Sequence, residues 1–556
     1  MEHVQKVSRR ALLAGGAALI AVPLMGARVP PDSAAGGAPP ASPGVGPGAA
    51  DAARLPGPPR WKHAVGDPRG SDVVAKLGRN VEARFGTMFK DLPAFTPADD
   101  LLVTMSERMV EQRQPLDDIP VPLEATDNPD MPSGFIYLGQ FIDHDMTRDT
   151  TPLTAQSQDP QALLNFDTPK FDLGSVYGQG PQTNPELYES DKKHLLLRMN
   201  TNGIEDLPRD DAGKAFVGDP RNDENLIITQ MQMAFIKLHN HFLDSDAKQD
   251  FAKAQQLTRW HYQWIIVHDF LPHVVGQPLL DDMISTLPGG RVGAKTLFYR
   301  PANPHKPMMP IEYSVAAYRW GHSGIRPEYE MHETPGVSPN PAVLAIFNTD
   351  PDPSTARDLR GSRPVYHDAT IDWNYFFEIP GVERPDDANF ARLIDTQVAR
   401  PLHDLPDSVV AHTPGAIIAL AQRNLLRGKR LGLPSGQDVA ATMRKRLPAM
   451  PTPLSNTQLE ARGEFGLSSA GWSGQAPLWF YCLREAELGG GRRLGPVGGR
   501  IVAEVILGLL QADFQSYWNS HLPFVPVGGP NFRMGDLLKL AKAPIIDPKT
   551  LQPITA

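Results

Sequence analysis

The chain has 556 residues, with 54 Lys and Arg against 63 Asp and Glu, a formal net charge of −9 at pH 7. That length suits one large domain or several small ones, and the mild, dispersed acidity leaves no basic footprint for nucleic acid and no acidic interaction tail. The single cysteine, Cys482, excludes an intramolecular disulfide, so stability must come from the core, a bound cofactor or a metal; beside Trp479, Phe480 and Tyr481 it reads as a small core residue.

Residues 1–28 read as an export signal. Lys6, Arg9 and Arg10 form a basic n-region, and Ala11 to Met25 an apolar stretch too short for a comfortable membrane span. Ser8-Arg9-Arg10-Ala11-Leu12-Leu13 resembles a twin-arginine signal. That predicts a bacterial source, a periplasmic or secreted destination, and no stable membrane span once the signal is removed. An ordinary secretory signal and an uncleaved anchor are the plainer alternatives. Residues 29–60, rich in Pro, Ala and Gly, cannot bury enough apolar surface to order themselves and read as a linker. From 61 to 556 no solenoid or propeller repeat is visible, strand-like alternation is scarce and helical periodicity is frequent. One mainly α domain is expected, with few short strands and long irregular connections where the 56 prolines cluster.

Gly134 to Asp149, GFIYLGQFIDHDMTRD, reads as an apolar helix carrying Gln140 and His144 one turn apart, with Asp143 and Asp145 flanking the histidine. Buried charge is costly unless paired or bound, so these four polar groups point to a site; a helix turn with solvated acids fits the spacing equally well. Thr168 to Gly178 (TPKFDLGSVYG) brings the side-chain oxygens of Thr168 and Asp172 and the Lys170 carbonyl close together, donors that calcium accepts; a capped turn is the bland reading. Gly218 to Asn225 (GDPRNDEN) puts Arg221 and Glu224 just before a helix, where Asn and Asp also favour the cap position.

Leu226, Met231, Phe235, Leu238 and Phe242 mark one face of that helix. Trp260, Trp264, Val267 and Leu271 mark a face of the next, which Pro272 ends or kinks. His239 and His241, two apart, make a poor metal pair, and His239 reads as a structural hydrogen-bonder. Glu312 to Ser323 (EYSVAAYRWGHS) reads as a helix ending at His322. Gln422 to Pro434 (QRNLLRGKRLGLP) reads as a basic helix end with a glycine cap. Ile501, Val505, Leu509 and Phe514 suggest a last helix.

Taken in this order, the segments resemble the animal-type heme peroxidase family, the myeloperoxidase and peroxinectin superfamily. GQFIDHD is similar to that family's distal helix, which implies a distal Gln140, a heme-attached Asp143, a distal His144 and a calcium-binding Asp145. The 168–178 loop resembles the family's calcium loop, implying ligands from Thr168, Lys170, Asp172 and Gly174; Gly174 stands where the animal enzymes often have Ser, so one side-chain oxygen is lost. Gly-Asp-x-Arg-x-x-Glu implies Arg221 as catalytic arginine and Glu224 as a second heme-attached carboxylate. Asn225 stands where myeloperoxidase has a methionine link, so no third link is expected. Arg319-Trp320-Gly321-His322 resembles the proximal Arg-Tyr-Gly-His and implies His322 as the axial iron ligand. Arg319 stands where oxygenases on this scaffold need a radical-bearing Tyr, and its guanidinium suits a heme propionate. Asn424, eight residues before Gly-Leu-Pro, is implied to accept the N–H of His322.

The resemblance spans roughly Gly134 to Asp513 and implies heme b, ester-linked through Asp143 and Glu224, together with calcium. The implied activity is reduction of hydrogen peroxide with oxidation of a small aromatic or halide-type donor by a compound I mechanism. In it His144 serves as base and acid, Arg221 stabilises charge and Gln140 orders water or donor. Three other readings compete with it: a fatty-acid dioxygenase on the same scaffold, a non-heme His-Asp metallohydrolase, and an adhesion protein that keeps the fold for binding. Arg319 speaks against the first. The intact trio His144, Arg221 and His322 and the lack of Arg-Gly-Asp speak against the last.

Overall fold

The computed structural model describes residues 85–111, 127–147, 169–287, 292–303, 307–333, 342–348, 356–406, 409–410, 416–460, 465, 467, 470–548 and 553–554. The signal and linker segments, 1–28 and 29–60, lie outside them, as does Thr168. The architecture among the described residues is mainly α, with five two-stranded sheets. None of their helices is long and apolar enough to cross a membrane.

Three helices carry the centre: α1 (Gly134–Met146), α2 (Leu226–Asp244) and α3 (Phe251–Ile265). Asn225 caps α2 by accepting from Ile228 N at 2.9 Å, and Asp250 caps α3 by accepting from Lys253 N at 3.2 Å. Phe141 of α1 stacks on Phe235 of α2, with centroids 4.8 Å apart, and Tyr262 of α3 meets both rings edge-on at 6.1 and 5.4 Å. Each such pair adds about 0.5–1.5 kcal/mol beyond its buried area. The cluster fixes the rotation of α1, whose residues are all buried except Gln140 and Asp143. The strand Asp127–Pro132 pairs antiparallel with Phe390–Arg392, and Asp127 binds Arg326 and Arg392 at 2.6 and 2.7 Å, which sets where α1 begins. Gly134 is required there, because a Cβ would lie 2.4 Å from the Phe377 ring.

Two expected helices take other forms. Of the two outcomes expected at Pro272, an end or a kink, the structure shows the second: a wide π turn, Ile266–Phe270, interrupts the α geometry and the helix resumes as Leu271–Val275. Proline lacks an N–H and its ring crowds the carbonyl four residues back, and the widened turn accommodates both. The segment to His322 is a π turn, Glu312–Ala316, followed by a 3-10 turn, Ala317–His322, with Ala316 breaking the path at φ −127° and ψ −82°. Its start is tied to the N-terminal part of the chain: the buried Glu312 Oε1 accepts from Met88 N and Phe89 N at 2.9 and 3.0 Å.

The rear layer contains α4 (Leu420–Arg430), α5 (Leu478–Leu488) and α6 (Pro496–Ala512). Cys482 is buried in α5, as expected of a small core residue. Phe514 was expected to extend the apolar face of α6, but the helix stops at Ala512 and Phe514 is 69% exposed. Ser516 Oγ bonds Leu510 O at 2.7 Å, and Asn519 Nδ2 bonds Gln511 O and Asp513 O at 3.1 and 2.9 Å. Those bonds satisfy carbonyls at the helix end and turn the chain away.

Candidate active site

On one side of the site stands His144, buried near the end of α1. Its Nδ1 lies 2.8 Å from Asn222 Oδ1, and Asn222 Nδ2 donates to Gln232 Oε1 at 2.8 Å. An amide whose nitrogen is committed elsewhere presents an acceptor to the ring, so the network assigns the proton to Nδ1 and the lone pair to Nε2. Burial first, then the Arg221 guanidinium, hold His144 below the ordinary histidine value; Asp219, Glu224 and Asp143 pull the other way. A neutral imidazole beside that many charges is a base ready to take a proton.

Arg221 is held by the 3-10 turn Pro220–Asp223, which Asp219 caps by accepting from Arg221 N at 2.9 Å. The Asp219 carboxylate also takes Arg221 Nε at 3.1 Å and Nη2 at 2.7 Å, and Nη2 reaches His144 O at 3.0 Å. The guanidinium is thereby tied to the backbone of the histidine it accompanies. Behind it, the buried Asp223 is gripped by Arg209 at 2.7 and 2.9 Å, which fixes the turn from below. Gln140 Oε1 accepts from Asn225 Nδ2 at 3.3 Å. Asp143 Oδ1 accepts from Thr147 Oγ1 at 2.8 Å, and Glu224 lies half-buried after the turn.

On the other side, His322 Nδ1 lies 2.8 Å from Asn424 Nδ2 of α4. Asn424 was expected to accept from this histidine. The structure instead turns Nδ2 to the ring, with Asn424 Oδ1 accepting from Arg319 Nη1 at 2.7 Å; a neutral ring that accepts at Nδ1 carries its proton on Nε2, so an iron bound at Nε2 requires the Asn424 amide to turn over. Arginine has only donors, so it takes the amide oxygen and leaves the nitrogen for His322. Arg319 also donates from Nε to Ser314 O at 3.0 Å, and Trp479 Nε1 donates to Arg319 O at 3.2 Å. The Trp479 ring stands nearly perpendicular to His322, centroids 6.5 Å apart.

The two sides lie against one another. Tyr318 Oη, in the turn that carries His322, donates to Gly139 O of α1 at 3.1 Å. The half-buried residues of these otherwise largely buried segments include Gln140, Asp143, Arg221, Glu224, Asn225, Ser314, Arg319, Gly321 and His322. A Cβ added at Gly321 would meet nothing within 4 Å among the described residues. Half-open polar side chains on buried elements, with space beside His322, fit a flat cofactor seated between the two histidine-bearing segments.

Of the calcium ligands that the resemblance implies, Asp145, Lys170, Asp172 and Gly174 lie among the described residues. Asp145 Oδ2 accepts from Leu173 N at 3.0 Å, and Asp172 Oδ1 accepts from Gly174 N at 3.1 Å. A Cβ at Gly174 would sit 3.3 Å from Asp172 Oδ1 and 3.9 Å from Asp145 Oδ1, so both carboxylates border the same residue. Lys170 is half-buried nearby in the chain, and Thr168 lies outside the described residues. Among the described residues, no three His, Cys, Asp or Glu side chains gather as metal ligands would.

Asn222, Gln232 and Ser175 were not singled out by sequence reasoning. Their side chains or carbonyls meet only through folding, and no spacing signals it. Asn225 was noted only for what it replaces; its roles as cap and as partner of Gln140 were readable in part, since Asn before an apolar run is a cap signal. His239, read as structural, is buried between Tyr177 Oη and Lys193 O, both at 3.0 Å.

Residues 117–352 match the family model described as Animal haem peroxidase, a span that includes His144, Arg221 and His322. A search of curated proteins gives no match. Among solved structures, peroxidase A from Dictyostelium discoideum is similar with a TM-score of 0.56 at 14% identity, over 82% of this chain and 91% of that one. A fatty acid alpha-dioxygenase from Arabidopsis thaliana is similar with a TM-score of 0.53 at 15% identity, over 76% and 72%. One from Oryza sativa gives 0.51 at 14%, over 81% and 77%. At such identities the likeness is one of fold, and the family match is to residues 117–352, which are similar to an animal haem peroxidase domain.

Proposed function

We propose that the protein binds heme between His144 and His322 and uses hydrogen peroxide to oxidise a small donor. The observation that carries the reading is the buried His144 imidazole, its Nδ1 bound to Asn222 Oδ1 at 2.8 Å and Arg221 anchored to its backbone carbonyl. His322 would hold the iron through Nε2 once the Asn424 amide turns to accept its Nδ1 proton, and Asp143 and Glu224 are the carboxylates available for ester links. When bound, heme supplies the redox chemistry, taking two oxidising equivalents from peroxide and passing them singly to a donor.

The chain's own residues move the protons. His144 Nε2 takes the proton from one peroxide oxygen and returns it to the other as the O–O bond parts, so the outer oxygen leaves as water. Arg221 stabilises the negative charge that develops on the separating oxygens. Gln140, held by Asn225, orders a water or the donor. The test is peroxide-dependent oxidation of an aromatic donor: His144→Ala should retain heme and lose roughly 10²–10⁴-fold in rate. An undiminished rate would remove His144 from the mechanism.

Fatty-acid oxygenation is the second reading, favoured by the fold likeness to alpha-dioxygenases. Tyr318, four residues before His322, is buried with its hydroxyl committed to Gly139 O, and Arg319 stands between them in sequence. Oxygen uptake with a long-chain fatty acid and no added peroxide would shift the assignment. Calcium held by Asp145 and Asp172 belongs to the same proposal; a rise in thermal midpoint on returning calcium to chelated protein tests it. Export by the 1–28 signal is tested by fractionating cells that carry Arg9→Lys with Arg10→Lys.

A further inference from the structure

Behind His144 runs a chain of hydrogen bonds whose polarity is set from its far end. The Ser175 carbonyl accepts from Gly218 N at 3.0 Å, Asp219 N at 3.3 Å and Gln232 Nε2 at 3.2 Å. A carbonyl can only accept, so Gln232 must turn its amide nitrogen to it and its oxygen the other way. That oxygen can only accept as well, so Asn222 turns Nδ2 towards it, at 2.8 Å. What remains of the Asn222 amide is Oδ1, and it faces His144 Nδ1 at 2.8 Å. Gln232 sits on α2, is buried, and touches neither His144 nor Arg221 in these contacts.

We propose that Gln232 is a positioning residue: by holding the Asn222 amide in one of its two orientations, it keeps the His144 proton on Nδ1 and the lone pair on Nε2. Turning the Asn222 amide over would place Nδ2 against His144 Nδ1. The ring would then carry its lone pair on Nδ1 and its proton on Nε2, the tautomer unable to take a proton from peroxide. No atom is gained or lost; only the site of one proton changes. The same Ser175 carbonyl holds the backbone that leads to Arg221, so base and arginine share one anchor. The catalytic consequence rests on the reading of His144 as the base, whereas the tautomer is a property of the folded chain.

The test reads the tautomer directly. Full-length protein with ¹⁵N-labelled histidine is loaded with zinc protoporphyrin, which is diamagnetic, or used as purified where none binds. The His144 signals are identified by their loss in His144→Gln. The wild type should show a neutral ring protonated at Nδ1 alone. Gln232→Met, similar in volume and without the amide, should give a mixture with a clear share of the Nε2-protonated form. In Gln232→Glu the buried carboxyl, when protonated, offers the same donor to Ser175 and the same acceptor to Asn222, and it should restore the Nδ1 form. A residue that merely filled space would leave the tautomer of both variants as it is in the wild type. Wild-type protein protonated at Nε2 overturns the inference without any variant, as does Gln232→Met with the wild-type signal. Failure to take up porphyrin or react with peroxide overturns the peroxidase reading and leaves this measurement standing.

Discussion

Arg319 and Asn424 are joined by one hydrogen bond, Nη1 to Oδ1 at 2.7 Å, and that bond decides what His322 meets. With its oxygen occupied, Asn424 offers His322 a donor, 2.8 Å from Nδ1. Iron at Nε2 needs the amide turned to accept the His322 N–H, against the pull of Arg319 on the same oxygen; Arg319→Leu removes that competitor, so the N–H is accepted unopposed and the ring becomes a more basic ligand. The heme reduction potential of the variant should fall by on the order of 60 mV, one decade in a one-electron equilibrium. Spectroelectrochemical titration measures it, and an unchanged potential would mean that Arg319 does not set the direction of the bond.

Arg221 is the second cause, after burial, of the lowered pKa of His144. The base works in its neutral form, which is populated above that pKa, so the acid limb of the peroxide reaction lies below the ordinary histidine value of 6.5. Arg221→Met removes a charge that disfavours the imidazolium and should move this limb to higher pH. It also removes charge stabilisation, and the plateau rate should fall roughly 10²–10³-fold. Stopped-flow rates across pH separate the two effects. A limb that stayed in place would show that the guanidinium does not act on the ring.

Gly218 passes so close to the short helix Gly174–Tyr177 that a Cβ would sit 2.4 Å from Gly174 O and 2.7 Å from Ser175 O. Both atoms are backbone and cannot swing aside. Gly218→Ala should cost about 1–3 kcal/mol as an overpacked contact. Because Ser175 O anchors both the arginine turn and Gln232, the peroxide rate should fall with it. Chemical denaturation gives the first quantity; wild-type stability in the variant would mean that the turn has room the structure does not display.

His194 lies between two carboxylates, Nδ1 at 2.5 Å from Asp191 and Nε2 at 3.0 Å from Asp244 of α2. Partial burial disfavours its charge, but the bonds to Asp191 and Asp244 outweigh that and raise its pKa. A raised histidine pKa stabilises the fold fully below the unfolded value of 6.5 and loses the contribution as pH climbs through the folded value. Denaturation midpoints should therefore decline across that window, and His194→Gln should remove that part of the decline. An identical pH dependence in the variant would exclude the clip.

Part of this site could be read in the chain and part could not, for physical reasons that differ by residue. His144, Arg221 and His322 stand in short local motifs, and their neighbours along the chain deliver them to the site. The apolar face of α2 follows from helical spacing, and its Phe235 meets Phe141, whereas Tyr262 of α3, which also meets Phe141, lies outside the face that spacing marks. The amide relay has no such signature: Gln232 meets a carbonyl 57 residues away and Asn222 a ring 78 residues away. The turn before His322 takes its form from Glu312 bonding to Met88, 224 residues back, which no local periodicity encodes. The direction of the Asn424 bond depends on Arg319 competing for the same oxygen, a contest that exists only after folding.

If His144 and His322 serve opposite sides of one heme, titrating the purified chain with heme must show it. One equivalent should be taken up with a Soret band; His322→Gly should lose that binding and recover it on adding imidazole, and His144→Ala should take up heme as the wild type does. A chain that takes up no heme, or a His322→Gly variant that binds it with wild-type affinity and spectrum, would contradict it.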